Sequence, residues 1–524
     1  MKYLSVAITT MAISIGICQN TKPEITFQDV VVDQINETVS IIYDLTDNEN
    51  DPCEVWLKKS SDGGEFFEMI DNVDITGDIG QNINPGASKS LVWDYSGITG
   101  SIFNVQLRLN ASDGIPYNIQ DFVDEVDSNE LISNLEFIEG IRHFSANPTH
   151  LNEVRDSIEN FFNFYGLDTE RHEFSFNGNQ GFNILGRKSG LKDEAITFII
   201  DGHYDGVSNT PGADDNGSAV SGMLEVLRVV SQYDFEHSIR FIGFDFEEYG
   251  LIGSERYVQN AINSYENIEG VLNLEMIGYY SDEPNTQTLP NGFEMLFPQE
   301  VQDIENDDNR GNFLTVVGNA NSNSLITAYE NAAATYVPDL RVISLEVPGN
   351  GEIAPDLRRS DHASFWDSGR KALMLTDGAD TRNMNYHTPA DTIGTLNFDF
   401  MTKNVKATLA TLAELAIPIS GNSDHYDLAV LSTNDHLHSD HSNIKMYPNP
   451  SNGKFKLTID AAHSDKYRLE IYDLDGKIVS KNIYQVVKGQ DLTEEVDLTN
   501  LSKGSYIAVF TTSEFTTSKS IVIN

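Results

Sequence analysis

Hydrophobic and polar positions divide the chain into three textures. From about Ile25 to Asp113, apolar and polar residues alternate. "VSIIYDL", "CEVWLKKS" and "FNVQLRLNA" have the two-residue period of half-buried strands. "SDGG" and "NPGAS" between them read as turns, and short strands in this density predict a β-sandwich. From about Asn129 the period changes. "NELISNLEFIEGIRHF" and "HLNEVRDSIENFFNFYG" have helical spacing, the second closing on Gly166. "AITFIIDGHYDG" is a strand entering a loop, and "SAVSGMLEVLRVVSQY" is a helix with Val220, Met223, Leu224, Leu227 and Val230 on one face. "SIRFIGFDF" and "GVLNLEMIGYY" are further apolar strands. Strands alternating with helices predict an α/β domain, a mixed sheet covered by helices on both faces, ending near Pro418. The polar tract "GNSDHYDLAVLSTNDHLHSDHSN", with its four histidines, predicts a linker rather than a metal-binding tract. A second all-β unit then runs from Ile444 to Asn524.

Length agrees with several units, because 524 residues exceed one ordinary core. Charge removes some partners. The 34 basic and 80 acidic residues give a formal net charge of -46, which repels phosphate backbones and anionic lipid. The N-terminus "MKYLSVAITTMAISIGICQN" has the layout of a secretory signal peptide, with an apolar run too short for a comfortable membrane span. Ile17 stands where a lipobox has a small residue, so cleavage is expected after Cys18, with Gly16 and Cys18 at the small positions. The mature chain then keeps Cys53 alone and forms no intrachain disulfide. No later stretch has the length and apolarity of a membrane-spanning helix. The expected units are a signal peptide (1–18), a β-sandwich (22–114), the α/β domain (115–420), a linker (421–443) and a terminal β-domain (444–524).

The ends of the predicted apolar strands carry unusual residues. "DGHYDG" offers His203 and Asp205, "PGADDNGSA" offers Asp214 and Asp215, and "FIGFDFEEYGLIGS" delivers Glu247 and Glu248 side by side. "NLEMIG" offers Glu275 and "NYHTPADT" offers His387. Each fragment alone has an ordinary explanation: a structural histidine, a helix cap, a solvated turn. Their repetition at strand ends does not, since Glu is depleted in strands and rarely buried unpaired. Two histidines with several carboxylates make a plausible shell for zinc.

In this order, "GHYDG", "PGADDNGSA", "DFEEYGLIGS", "NLEMIG", "RSDHASFWDSG" and "NYHTPADT" closely resemble the di-zinc aminopeptidases of peptidase family M28, over roughly residues 129–418. That family also includes glutamate carboxypeptidases and is related to the glutaminyl cyclases. The resemblance implies that His203 binds one zinc, with Asp205 fixing its imidazole. It implies that Asp215 bridges both metals, and that Glu275, where the family more often has Asp, completes the first site. Glu248 and His387 would complete the second site, Glu247 would be the general base, and the peptide Asp215–Asn216 would be cis. Two zinc ions would share a water and lower its pKa from near 16 toward about 7. Glu247 would take the proton as hydroxide attacks the peptide carbonyl and pass it to the leaving amine. A free substrate α-amine beside the metals would confine cleavage to the N-terminal residue. His362 reads as a supporting or structural residue, Arg382 as part of a structural ion pair, and Pro284 to Phe313 as an insertion shaping the pocket.

The N-terminal unit resembles a fibronectin type III module. The C-terminal unit resembles the type A sorting domain of the bacterial type IX secretion system, through "YPNPSNGKF", "LEIYDLDGKIV" and "LTNLSKGSYIAVF". Together these imply a secreted or cell-surface zinc aminopeptidase acting on peptides with a free N-terminus and exported by that machinery, with neither nucleic-acid partner nor membrane span. The rivals are a carboxypeptidase or a one-zinc glutaminyl cyclase on the same scaffold, and a non-catalytic peptide-binding protein. The intact ligand set and Glu247 speak against the last.

Overall fold

A computed structural model describes residues 20–98, 101–432, 444–459, 465–472, 477–486, 492–511 and 516–523. The expected signal peptide lies outside the described residues. Among the described residues, no helix is long and apolar enough to cross a membrane.

The N-terminal unit consists of two antiparallel sheets over one core. Strands Glu24–Asp33, Thr38–Thr46, Gly86–Asp94 and Ile75–Gly77 form the first sheet. Cys53–Ser60 and Ser101–Ser112 lead the second. Val39, Ile41, Tyr43 and Leu45 meet Val55, Leu57, Leu107 and Leu109 between the sheets, as the two-residue period requires. Cys53 is buried in this core.

One expectation is corrected here. The first part of the expected linker, Gly421–Ser432, is a strand. It pairs antiparallel with Ser101–Ser112, from Gly421↔Ser112 to Ser432↔Ser101. Backbone hydrogen bonds hold it, so its side chains need no apolar alternation, and the sequence reads as polar linker. His425, one of the tract's four histidines, accepts a hydrogen bond from Arg108 Nε–H (2.8 Å). His436, His438 and His441 lie outside the described residues. The α/β domain is therefore inserted between two paired strands of the N-terminal unit.

The other face of Cys53–Ser60 is buried against the α/β domain. Trp56 Nε1–H donates to Leu191 O (3.0 Å), and Lys58, Arg108 and Arg187 surround the buried Glu194 carboxylate.

The α/β domain is built on an eight-stranded mixed sheet. Its spatial order is Val342–Val347, Leu314–Asn319, Ala372–Thr376, Asn267–Leu274, Asp193–His203, His237–Phe244, Asn179–Lys188 and Asp168–Phe176. Asp193–His203 runs parallel to both its neighbours. Successive side chains on these strands enter opposite cores. Ile200 and Phe241 join the cluster packed with helices Ala219–Val230 and Phe398–Ala416. Ile199 and Ile242 join the cluster containing Tyr257, Phe365 and Trp366. Helices thus cover both faces. The chain leaves Asp193–His203 by one face and, after His237–Phe244, returns by the other to Asn267–Leu274. This reversal opens a crevice at the carboxyl ends of these strands.

The C-terminal unit is also two antiparallel sheets, of three and four strands, sharing a core that includes Phe455, Leu457, Leu469, Ile471, Ala508 and Phe510.

Candidate metal centre

The crevice gathers every residue singled out at the strand ends. His203 closes its strand, and Glu275 directly follows Leu274. Glu247 and Glu248 are not at a strand end. The strand stops at Phe244, and the pair occupies one 3-10 turn, Glu247–Tyr249. In such a turn successive side chains diverge by about 120°, so adjacent carboxylates reach different places. Asp215 lies in the irregular turn 213–218 that opens helix Ala219–Val230. His387 comes from the loop beyond strand Ala372–Thr376.

Asp215 stands between the two histidines. Its Oδ1 is 3.5 Å from His203 Nε2, and its Oδ2 is 3.0 Å from His387 Nε2. Glu275 Oε2 and Glu247 Oε2 lie 3.4 Å and 3.7 Å from His203 Nε2. Glu248 Oε2 lies 3.0 Å from His387 Nε2. Two groups of potential ligand atoms result, one from His203, Glu247 and Glu275, the other from Asp215, Glu248 and His387. The peptide Asp215–Asn216 is cis. Phe246, Leu251, Met276 and His387 all have positive φ. Left-handed backbone at bulky residues is costly and concentrates at functional sites.

Asp205 organises the crevice. Its Oδ1 accepts from Glu247 N–H (3.1 Å), its Oδ2 from Glu248 N–H (3.3 Å), and Oδ1 also faces His203 Nδ1 at 3.5 Å. One carboxylate thereby fixes the glutamate turn and faces one imidazole. Glu275 Oε2 accepts from Ser360 Oγ–H (2.9 Å) and from Asn216 Nδ2–H (3.3 Å).

Two supports were not singled out from the sequence, although Asp391 lies within the quoted motif "NYHTPADT". Arg142 is buried and donates to the carbonyls of Ile138, Tyr204, Pro211, Gly212 and Asp215, clamping the His203 loop to the Asp215 turn. Gly212 has φ +60 there, and a Cβ on it would lie 2.3 Å from Asp215 O. Asp391, four residues beyond His387, accepts from the amides of Asp214 (2.9 Å) and Asp215 (3.1 Å). His362 is buried, with Nε2 3.0 Å from Leu357 O and Nδ1 3.3 Å from Asn273 Oδ1. Burial pushes it down to about 4, and its partners make it structural.

The donor set suits cations. Glu248 Oε1 is buried and makes no hydrogen bond, and Asp215 Oδ2 and His387 Nε2 face each other at 3.0 Å without hydrogen-bond alignment. Such groups are costly unless another partner satisfies them. Burial opposes charge on His387, but Asp215 and Glu248 outweigh it and raise the imidazole to about 10. Burial likewise opposes ionisation of Asp215, yet the two histidines hold it below the usual carboxylate range. The crevice therefore favours positive charge. Asp215, Glu248 and Glu275 with two imidazoles offer the oxygen and nitrogen ligands that suit borderline-soft dications.

Residues 183–412 match the model of peptidase family M28, and residues 445–524 that of a secretion system C-terminal sorting domain. The uncharacterized protein YfbL of Escherichia coli is 30% identical over 277 residues, spanning 51% of this chain and 81% of that protein. The aminopeptidase YwaD of Bacillus subtilis is 39% identical over 107 residues, spanning 20% of this chain and 23% of YwaD. Of solved structures, the LapA aminopeptidase of Legionella pneumophila is 21% identical with a TM-score of 0.44, over 57% of this chain and 73% of that one. The similarity to YfbL extends over most of that protein, and residues 183–412, which match the family model, contain every candidate ligand. The chain belongs to peptidase family M28.

Proposed function

We propose that this chain is an exported zinc aminopeptidase that removes N-terminal residues from peptides with two zinc ions. The observation that carries the proposal is the placement of Asp215, with one oxygen toward His203 and the other toward His387. His203, Asp215 and Glu275 would hold one zinc, and Asp215, Glu248 and His387 the other. Zinc bound there supplies Lewis acidity, polarising the peptide carbonyl and lowering the pKa of water from 15.7 to about 7. Glu247 lies nearly buried beside His203. Its Oε2 accepts the water proton as the carbonyl is attacked and returns it to the leaving amine. Asp205 keeps Glu247 in reach through the Glu247 N–H bond and faces the His203 imidazole. A free α-amine has a basic lone pair to place beside the metal positions, and an acylated nitrogen does not.

The test compares a peptide with its N-acetylated form, with and without chelator. Only the unblocked peptide should be shortened, from its N-terminus. Chelator should stop the reaction and zinc should restore it. Equal cleavage of both peptides would refute the proposal. Export would use the N-terminal signal peptide and the sorting domain. A chain lacking residues 444–524 should keep its activity but remain within the cell envelope, and its appearance in the medium would refute the sorting role.

A further inference from the structure

The three side chains of the glutamate turn leave it in three directions, as 3-10 geometry requires. Glu247 reaches toward His203 and Glu248 toward His387. The third, Tyr249, reaches His143, whose Nε2 is hydrogen-bonded to its hydroxyl. His143 is buried, and its Nδ1 accepts from the main-chain N–H groups of Ser145 (3.0 Å) and Ala146 (2.9 Å). A neutral imidazole has one donor and one acceptor. With Nδ1 accepting, the ring proton sits on Nε2 and points at Tyr249 Oη. The hydroxyl oxygen therefore accepts, and its own proton remains to be donated. Among the described residues, His143 is the only hydrogen-bond partner of this hydroxyl.

The Tyr249 ring is held as well. Phe144 and Phe246 meet it edge to face, with centroids 5.2 Å and 5.7 Å away, and His143 stacks on Phe144 at 4.6 Å. The segment that holds Tyr249 also reaches the metal turn. Arg142 O accepts from Gly206 N–H (2.8 Å), and the Arg142 side chain donates to the carbonyls of Gly212 and Asp215. Consecutive residues thus register Tyr249 against the candidate ligands. Burial, and then the carboxylates of Asp205 and Glu248, raise the pKa of the hydroxyl, which sets it on the ligand side of the turn.

Tyr249 stands where the crevice is open. His203, Glu247 and Glu275 are buried, whereas the His387 side chain is 35% exposed and Tyr249 is 38% exposed. An exopeptidase encloses one terminal residue, and the rest of the chain leaves toward solvent. The side flanked by His387 and Tyr249 is the exit. Every peptide substrate carries an acceptor there, the first main-chain carbonyl beyond the scissile bond. We infer that Tyr249 is a specificity-determining residue whose Oη–H donates to that carbonyl, and that His143 is the positioning residue that orients this donor. The inference rests on the aminopeptidase reading and adds what the leaving portion carries, a peptide continuation rather than any amine.

The experiment measures kcat and KM of the full chain on two unblocked substrates, leucylglycylglycine and leucine p-nitroanilide. The anilide lacks the carbonyl in question. Each variant is compared with wild type on the same substrate, which cancels the difference in leaving-group reactivity. Tyr249→Phe keeps the ring and removes the donor. It should lower kcat/KM on the peptide about 3–10-fold, the worth of one neutral hydrogen bond, and leave the anilide unchanged at unchanged zinc content. His143→Asn keeps an acceptor for the Ser145 and Ala146 N–H groups and loses the Nε2 donor. It should shift the peptide-to-anilide ratio in the same direction, and the double variant should lose no more than Tyr249→Phe alone. Equal losses on both substrates, or no loss on the peptide, would overturn the contact while leaving the aminopeptidase reading standing. A His143→Asn enzyme matching wild type on both substrates would overturn the positioning role. Wild type inert on both substrates would overturn the aminopeptidase reading itself.

Discussion

Asp205→Asn separates organisation of the crevice from its chemistry. The carboxylate is nearly buried, and each oxygen accepts one backbone N–H, from Glu247 and from Glu248. Asparagine keeps the shape but offers a single acceptor oxygen. Its amide nitrogen must then face either the Glu248 N–H, or the Glu247 N–H together with the His203 ring. One buried N–H left unpaired costs about 1–3 kcal/mol, so the metal-free protein should lose about that much stability. Losing an outer partner of a ligating histidine typically weakens metal binding by about 10–100-fold, equivalent to about 1.4–2.8 kcal/mol at 1.4 kcal/mol per tenfold. The assay pairs thermal melts of the metal-free protein with zinc competition against a chelator of known affinity. Lower stability with zinc affinity kept within about twofold would mean that Asp205 is a scaffold residue only. Unchanged values of both would refute the hydrogen-bond assignment itself.

The paired glutamates should separate by mutation. Glu247→Gln should keep its zinc and lose about 10²–10⁴ in turnover, whereas Glu248→Gln should lose metal occupancy and regain activity in excess zinc; the opposite metal result would reverse the roles. Burial pushes the Lys58 ammonium down to about 8 from 10.5, although Glu194 lies 3.2 Å away. Between those pH values the unfolded chain binds more protons than the folded one, so this residue's contribution to stability rises with pH. Tm of wild type minus Tm of Lys58→Met should therefore increase from pH 7.5 to 10, and a flat or falling difference would refute the burial effect. A chain ending at Ser420 should melt below one ending at Ser432, because the first lacks the strand paired with Ser101–Ser112. Equal melting temperatures would show that this strand adds nothing to the fold.

The legible parts of the sequence were those with a local signature. Ile199, Ile200, Phe241 and Ile242 mark strands buried on both faces, and a charged residue at the end of such a run, as at His203 or Glu275, is visible as an anomaly. His387 has no such context; it lies in an irregular loop, and only the ordered motifs single it out. Arg142 was invisible because it bonds backbone atoms of remote segments, and such bonds leave neither period nor composition behind; Asp391 lay within the quoted motif "NYHTPADT", but its bonds to the Asp214 and Asp215 amides could not be read from it. Strand Gly421–Ser432 was missed for the same reason, since backbone pairing over a long sequence separation fixes it. The glutamate pair was read at a strand end, but the strand stops at Phe244 and the pair occupies the turn Glu247–Tyr249. Phe246 at φ 57 begins the turn, and nothing in its side chain announces a left-handed residue.

Zinc titration of metal-free protein, followed by activity on an unblocked leucyl substrate, tests the central claim most directly. If Asp215 joins two metal positions, activity should depend on two zinc equivalents per chain, and metal analysis of the fully active protein should return two. Full activity with one tightly bound equivalent, or with none, would contradict the two-metal account.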